Sequence, residues 1–122
     1  MNTQISEKRH LVINHMEQDR PFRIVGTAKK KDNENHYALF LRILPGIPYY
    51  IVPHRERAGE FLVFSGKKKK EDGSLVFFCK IGSALQLFNK KAIEVHLPDL
   101  RQVLYVSLNP ESQKASEGEA AA

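Results

Sequence analysis

Cysteine is nearly absent from this chain. Cys79 is the single one, so no internal disulfide can form. A fold without cross-links suits a reducing compartment, and a cytoplasmic protein is the expectation. Long apolar runs are missing as well. No stretch reaches the roughly eighteen consecutive apolar residues that a membrane-crossing helix needs. The first twenty residues include Glu7, Lys8, Arg9, Glu17, Asp19 and Arg20. That density of charge leaves no room for the apolar segment of a secretion signal, so no membrane partner is expected.

Signatures of chemistry are equally scarce. His10 and His15 are five positions apart, which misses the i, i+4 spacing that puts two imidazoles on one helix face. His36, His54 and His96 stand singly and read as surface residues, so neither a metal centre nor a cofactor is expected. No Gly-x-Ser-x-Gly elbow marks Ser65, Ser74 or Ser83 as an activated nucleophile. Cys79, between Phe78 and Lys80, reads as a small buried hydrophobe in mid-strand. The stretch "GKKKKEDGS" lacks the Gly-x-x-x-x-Gly-Lys-Ser/Thr spacing that cradles a nucleotide's phosphates. The carboxylates stand beside lysines or in turns, and no acid–base pair emerges. An enzyme is not expected.

What is present describes one small domain. The chain has 122 residues, 42% hydrophobic and 27% charged, enough for a single buried core. Its net charge of +5 is unevenly spread. The tail "NPESQKASEGEAAA" (109–122) holds Glu111, Glu117 and Glu119 against Lys114, so residues 1–108 carry +7. The tail has no aromatic or β-branched residue and reads as a disordered acidic segment. Residues 1–108 read as a single compact β-rich domain whose basic surface suits an anionic partner.

Within that domain, "SEKRHLVINHMEQD" (6–19) opens on Ser6, a good helix N-cap. Leu11, Val12, His15 and Met16 could form an apolar stripe. This predicts an N-terminal helix ending before Pro21, although Leu11 and Ile13 also alternate as in a strand. From Phe22 on, segments 22–31, 36–44, 49–54, 60–70, 74–81 and 84–88 are rich in β-branched and aromatic residues. "DNEN", "PGIP", "RERAG", "EDG" and "GS" separate them as turns. Beyond residue 88 the signals conflict: "VLYVSL" alternates as a strand, while "PDLRQVL" could begin a helix at Pro98. The expected fold is mainly β (α+β): a curved antiparallel sheet or small barrel of about six strands, with one or two short helices.

The most informative feature is a near-repeat. "FRIVGTAKKKDNENHYALFLRI" (22–43) and "FLVFSGKKKKEDGSLVFFCKI" (61–81) share a sequence of parts. Each has an apolar strand, a glycine (Gly26 or Gly66), a lysine run, an acidic turn and a closing strand. This predicts two similar hairpins. A two-residue Asp72-Gly73 turn would set Lys70 opposite Leu75 and Lys67 opposite Phe78. Lysines would then lie on both faces of the arm, so the arm must project beyond the core.

Ammonium heads beside aromatic rings are what single-stranded nucleic-acid surfaces use, the charges on phosphates and the rings on bases. The leading expectation is a non-catalytic module for RNA, single-stranded DNA or another polyanion. Its contacts would be Lys29, Lys30, Lys31, Lys67, Lys68, Lys69 and Lys70, with Arg42 and Lys80. Lys90, Lys91 and Arg101 are weaker candidates. The competing explanation is that these lysines snorkel over apolar neighbours and block edge-to-edge aggregation, with Asp32, Glu34, Glu71 and Asp72 cancelling part of their field. Tyr49 and Tyr50 must face opposite ways, one to the core and one to the rim. "FLVF" (61–64) and "LVFF" (75–78) are apolar on both faces. They call for cover from the terminal helix or a second subunit. A protein-interaction or regulatory adaptor, forming a homodimer, is therefore the alternative.

Overall fold

The computed structural model describes residues 7–15, 21–87 and 91–108. They form eight strands: β1 (Glu7–Ile13), β2 (Ile24–Lys31), β3 (Tyr37–Leu41), β4 (Pro48–Pro53), β5 (Glu60–Lys69), β6 (Leu75–Leu87), β7 (Ala92–Leu97) and β8 (Gln102–Ser107). Each strand pairs antiparallel with its sequence neighbours, and β1 also pairs with β8, closing the sheet into a barrel. The fold is thus mainly β and antiparallel, as the alternating segments imply. Two of those segments, 74–81 and 84–88, lie largely on one long strand, β6.

The expected N-terminal helix is corrected. Glu7–Ile13 is a strand, pairing along β2 from Glu7↔Lys31 to Ile13↔Ile24 and with β8 at Val12↔Val106 and Ile13↔Tyr105. A helix here would leave two open edges, one on β2 and one on β8, and their unpaired backbone groups favour the strand. The remainder of 6–19, residues 6 and 16–19, lies outside the described residues, as does the tail 109–122. The conflict beyond residue 88 resolves into both parts: Pro98–Leu100 is a single 3₁₀ turn with proline in its first turn, and β8 follows. Among the described residues no helix is long and apolar enough to cross a membrane.

Alternation places the core inside the barrel. Val12, Ala28, Leu39, Ile51, Val63, Ile93, Val95 and Val106 are fully buried and pack as one cluster. Two glycines let neighbouring strands approach closely. A Cβ on Gly26 would lie 2.3 Å from the Phe40 carbonyl oxygen, and one on Gly82 would lie 2.1 Å from that of His96. Glycine in a strand interior marks such contacts between backbones.

The near-repeat corresponds to the hairpins β2–β3 and β5–β6, which flank β4. The second departs from the expected register by one residue: Lys69 faces Leu75 and Lys67 faces Phe77. Asp72 lacks the positive φ that a two-residue Asp-Gly turn requires, and only Gly73 (φ 89°) adopts it. The Asp72 carboxylate instead accepts from the Ser74 N–H (2.9 Å) and hydroxyl (2.6 Å). The backbone closes a three-residue loop through Gly73 N–H to Lys70 O and Lys70 N–H to Ser74 O. Farther down, the ladder shifts register between Val63 and Phe64, and Cys79 takes a left-handed φ of 59°. Cys79 is exposed, not buried, because this irregular backbone takes it out of the inward alternation.

Candidate functional site

Register across the barrel lines up a row of outward residues: Arg9, Lys29, Ala38, Tyr50, Phe64 and Lys80 stand opposite one another on successive strands from β1 to β6. Their inward neighbours Ala28, Leu39, Ile51 and Val63 are fully buried, which fixes the row on the outer face. Tyr49 packs against the core and Tyr50 does not, as their adjacency requires. A groove of about 280 Å³ runs over this face, with Lys29, Lys31 and Lys67 on its sides and Phe40, Pro48 and Tyr50 at its base.

The lysines here sit against aromatic rings. Lys29 Nζ lies 5.2 Å from the centre of Phe40, and Lys67 Nζ lies 5.5 Å from that of Tyr50. Both are within the range at which a cation is attracted to a ring face. Lys67 also donates to His36 Nε2 at 3.2 Å and pairs with Glu34 at 3.7 Å. An ammonium group can only donate, so the His36 Nε2 accepts and its ring proton is on Nδ1.

The outer arm is thereby held down on the β2–β3 loop and β4. The Phe77 ring lies 4.9 Å from His36, 5.8 Å from Tyr50 and 6.0 Å from Phe64, and His36 lies 6.1 Å from Tyr50. Lys67 and Phe77 reach these partners beyond the register shift at Val63/Phe64 and the left-handed Cys79. His36 is therefore buried, 6% exposed, and not the surface histidine expected. Burial, then the neighbouring Lys67 charge, pushes its pKa below the usual histidine value. Glu34 pulls it the other way.

The structure gathers only some of the residues expected to bind. Lys29, Lys31 and Lys67 share the groove. Lys30 points to the opposite face, across from Lys8 and on the side of His10, whose pKa is lowered by burial and then by Lys8 and Lys30, against a hydrogen bond to the Ser107 backbone that raises it. Lys68, Lys69 and Lys70 line a shallow cleft at the hairpin tip with Glu71 and Asp72. Lys80 belongs to the outward row but borders a different depression, beside His54 and His96. Arg42 lies at the barrel's end. Lys91 and Arg101 are exposed outside the groove, and Lys90 lies outside the described residues. Glu34 and Glu7, also in the groove, offset part of its charge.

His36, Phe40 and Phe77 were not singled out by their sequence context. Their roles depend on partners far along the chain, and His36 and Lys67 are 31 positions apart. Among the described residues no group of three or more His, Cys, Asp or Glu is placed to hold a metal ion. Compared with protein-family models, curated proteins and solved structures, the chain matches none.

Proposed function

We infer that the chain is a non-catalytic nucleic-acid-binding module, taking single-stranded RNA or DNA across the outer face of β2–β5. Phosphates would meet Lys29, Lys31 and Lys67, and bases would stack on Phe40 and Tyr50. The observation that carries this reading is the placement of two ammonium groups over two aromatic rings in one groove. Single-stranded nucleic acids offer a regular row of charges and flat faces to such a surface. The exposed Cys79, with no partner to cross-link within the chain, suits a reducing compartment such as the cytoplasm.

Fluorescence anisotropy with labelled single-stranded and duplex oligonucleotides over a salt series tests the reading. Single strands should bind with a log–log salt slope of about −2, from three phosphates at about 0.7 each. Tyr50→Ala should weaken binding about tenfold, from the loss of about 1–3 kcal/mol of stacking. No binding to any single strand at low salt would overturn it.

A second reading, an adaptor that self-associates, is favoured by one feature. Leu85 and Val103 are 42% and 38% exposed on the outer face of β6–β8, away from the lysine groove. Apolar side chains on an outer sheet face invite a partner.

A further inference from the structure

The lysine groove leaves unexplained a second cleft, at the end of the barrel between β2–β3 and the 3₁₀ turn before β8. It has a volume of about 490 Å³, within the range of small-molecule sites. Leu41 and Leu104, each 4% exposed, are the edge of the core and form its floor. Ile43 and Leu100 form its rim and are 78% and 37% exposed. The apolar surface is thus continuous from the core to solvent, and water covers it at a cost.

Two cations stand at this apolar cleft. Arg23 and Arg42 both line it, and no carboxylate among the described residues lies within ion-pair distance of either. Their backbones are anchored: the Arg23 N–H donates to Asn14 Oδ1 (2.8 Å) and the Arg42 N–H to the Val25 carbonyl (2.9 Å). Guanidinium presents a planar fork of donors matched to a carboxylate, and the apolar floor matches an alkyl chain.

We propose that this cleft binds a fatty acid, its alkyl chain on Leu41, Leu104, Ile43 and Leu100 and its carboxylate on Arg23 and Arg42. The charge at the mouth decides between an acid and a neutral lipid. The continuous apolar floor decides between an alkyl carboxylate and a free inorganic anion. No bond is made or broken; the site is one of binding only.

The test is titration of the full chain with decanoate below its micelle concentration, followed by heteronuclear NMR and calorimetry. One saturable site is expected, with shifts centred on Leu41, Ile43, Leu100 and Leu104. Affinity should rise about three- to fourfold per added methylene from hexanoate to decanoate, the effect of burying one CH₂. The uncharged decanol should bind about tenfold more weakly, having lost a charge-assisted contact. Arg23→Gln with Arg42→Gln should remove that difference by weakening decanoate far more than decanol; both side chains are exposed, so the fold should persist. Absence of saturation overturns the proposal. So does equal binding of acid and alcohol by the native chain, or a preference for the acid that survives the double substitution. Substitution of Lys67 should change none of these values, which separates this site from the lysine groove.

Discussion

His36 shows how much a single side chain depends on its surroundings here. Its ring meets Phe77 edge to face and accepts from the Lys67 ammonium, and a proton on Nε2 would break that hydrogen bond and set two cations together. The sign of the pH effect follows. Burial first, then Lys67, lowers the folded pKa, so the unfolded chain, with histidine near 6.5, takes up a proton that the fold refuses. Above about pH 7 both states are neutral at this site and it contributes no pH dependence. As the pH falls through about 6.5 and below, stability is lost, by at most about 1.4 kcal/mol per pH unit for one histidine. His10, also lowered by burial and by Lys8 and Lys30, acts in the same direction. The thermal midpoint should therefore fall between pH 7 and pH 5, and His36→Gln should flatten the fall, leaving the part due to His10. An unchanged pH dependence in that variant would mean that His36 does not resist protonation. The Lys67–Glu34 pair is partly exposed, 26% and 21%, and such pairs contribute only about 0–1 kcal/mol.

Among the elements, strands and turns were legible where a local pattern decides them. Alternation placed β2 to β5, turn residues placed their connections, and Pro98 marked the 3₁₀ turn. The near-repeat identified both lysine hairpins. What local pattern could not supply was β1, whose conformation is decided by closure between β2 and β8. Nor could it supply the register of the β5–β6 loop, which depends on Asp72 holding Ser74. The bend at Cys79 was hidden for a similar reason: nothing in "FFCKI" signals a left-handed residue. The candidate site was legible in its lysines, but not in its grouping or in which of Tyr49 and Tyr50 would face it. Register and bend, not composition, bring Lys67 to His36 while sending Lys30 to the other face.

Glycine substitutions probe the same geometry. Gly82→Ala would drive a methyl group into the rigid His96 carbonyl and should cost about 1–3 kcal/mol in urea unfolding, as overpacking does. Gly66→Ala meets the ring of Phe78 first, which is 48% exposed and can swing away, and should cost clearly less. Equal losses in the two variants would contradict the close approach of β6 and β7 at Gly82.

For the whole molecule, the closed barrel leaves two outer surfaces of different character. The face over β2–β5 carries lysines and aromatic rings; the face over β6–β8 carries Leu85 and Val103. If the second face pairs with another copy, light scattering over a tenfold dilution should show a mass above the monomer's, and Leu85→Lys should lower it. A monomer at every concentration would remove the homodimer.

The nucleic-acid reading proposed for the β2–β5 face rests on the position of its lysines, not on charge alone. Two triple variants isolate it. Lys29→Ala, Lys31→Ala and Lys67→Ala remove three charges from the groove; Lys68→Ala, Lys69→Ala and Lys70→Ala remove three from the hairpin tip. Net charge changes equally in both. The decisive measurement is the salt dependence of affinity for one single-stranded oligonucleotide, with folding of each variant checked by circular dichroism. The groove variant should lose about 2 units of log–log slope, from about 0.7 per phosphate released, and the tip variant should keep most of the parent's slope and affinity. Equal losses in the two variants, or a greater loss at the tip, would contradict the claim.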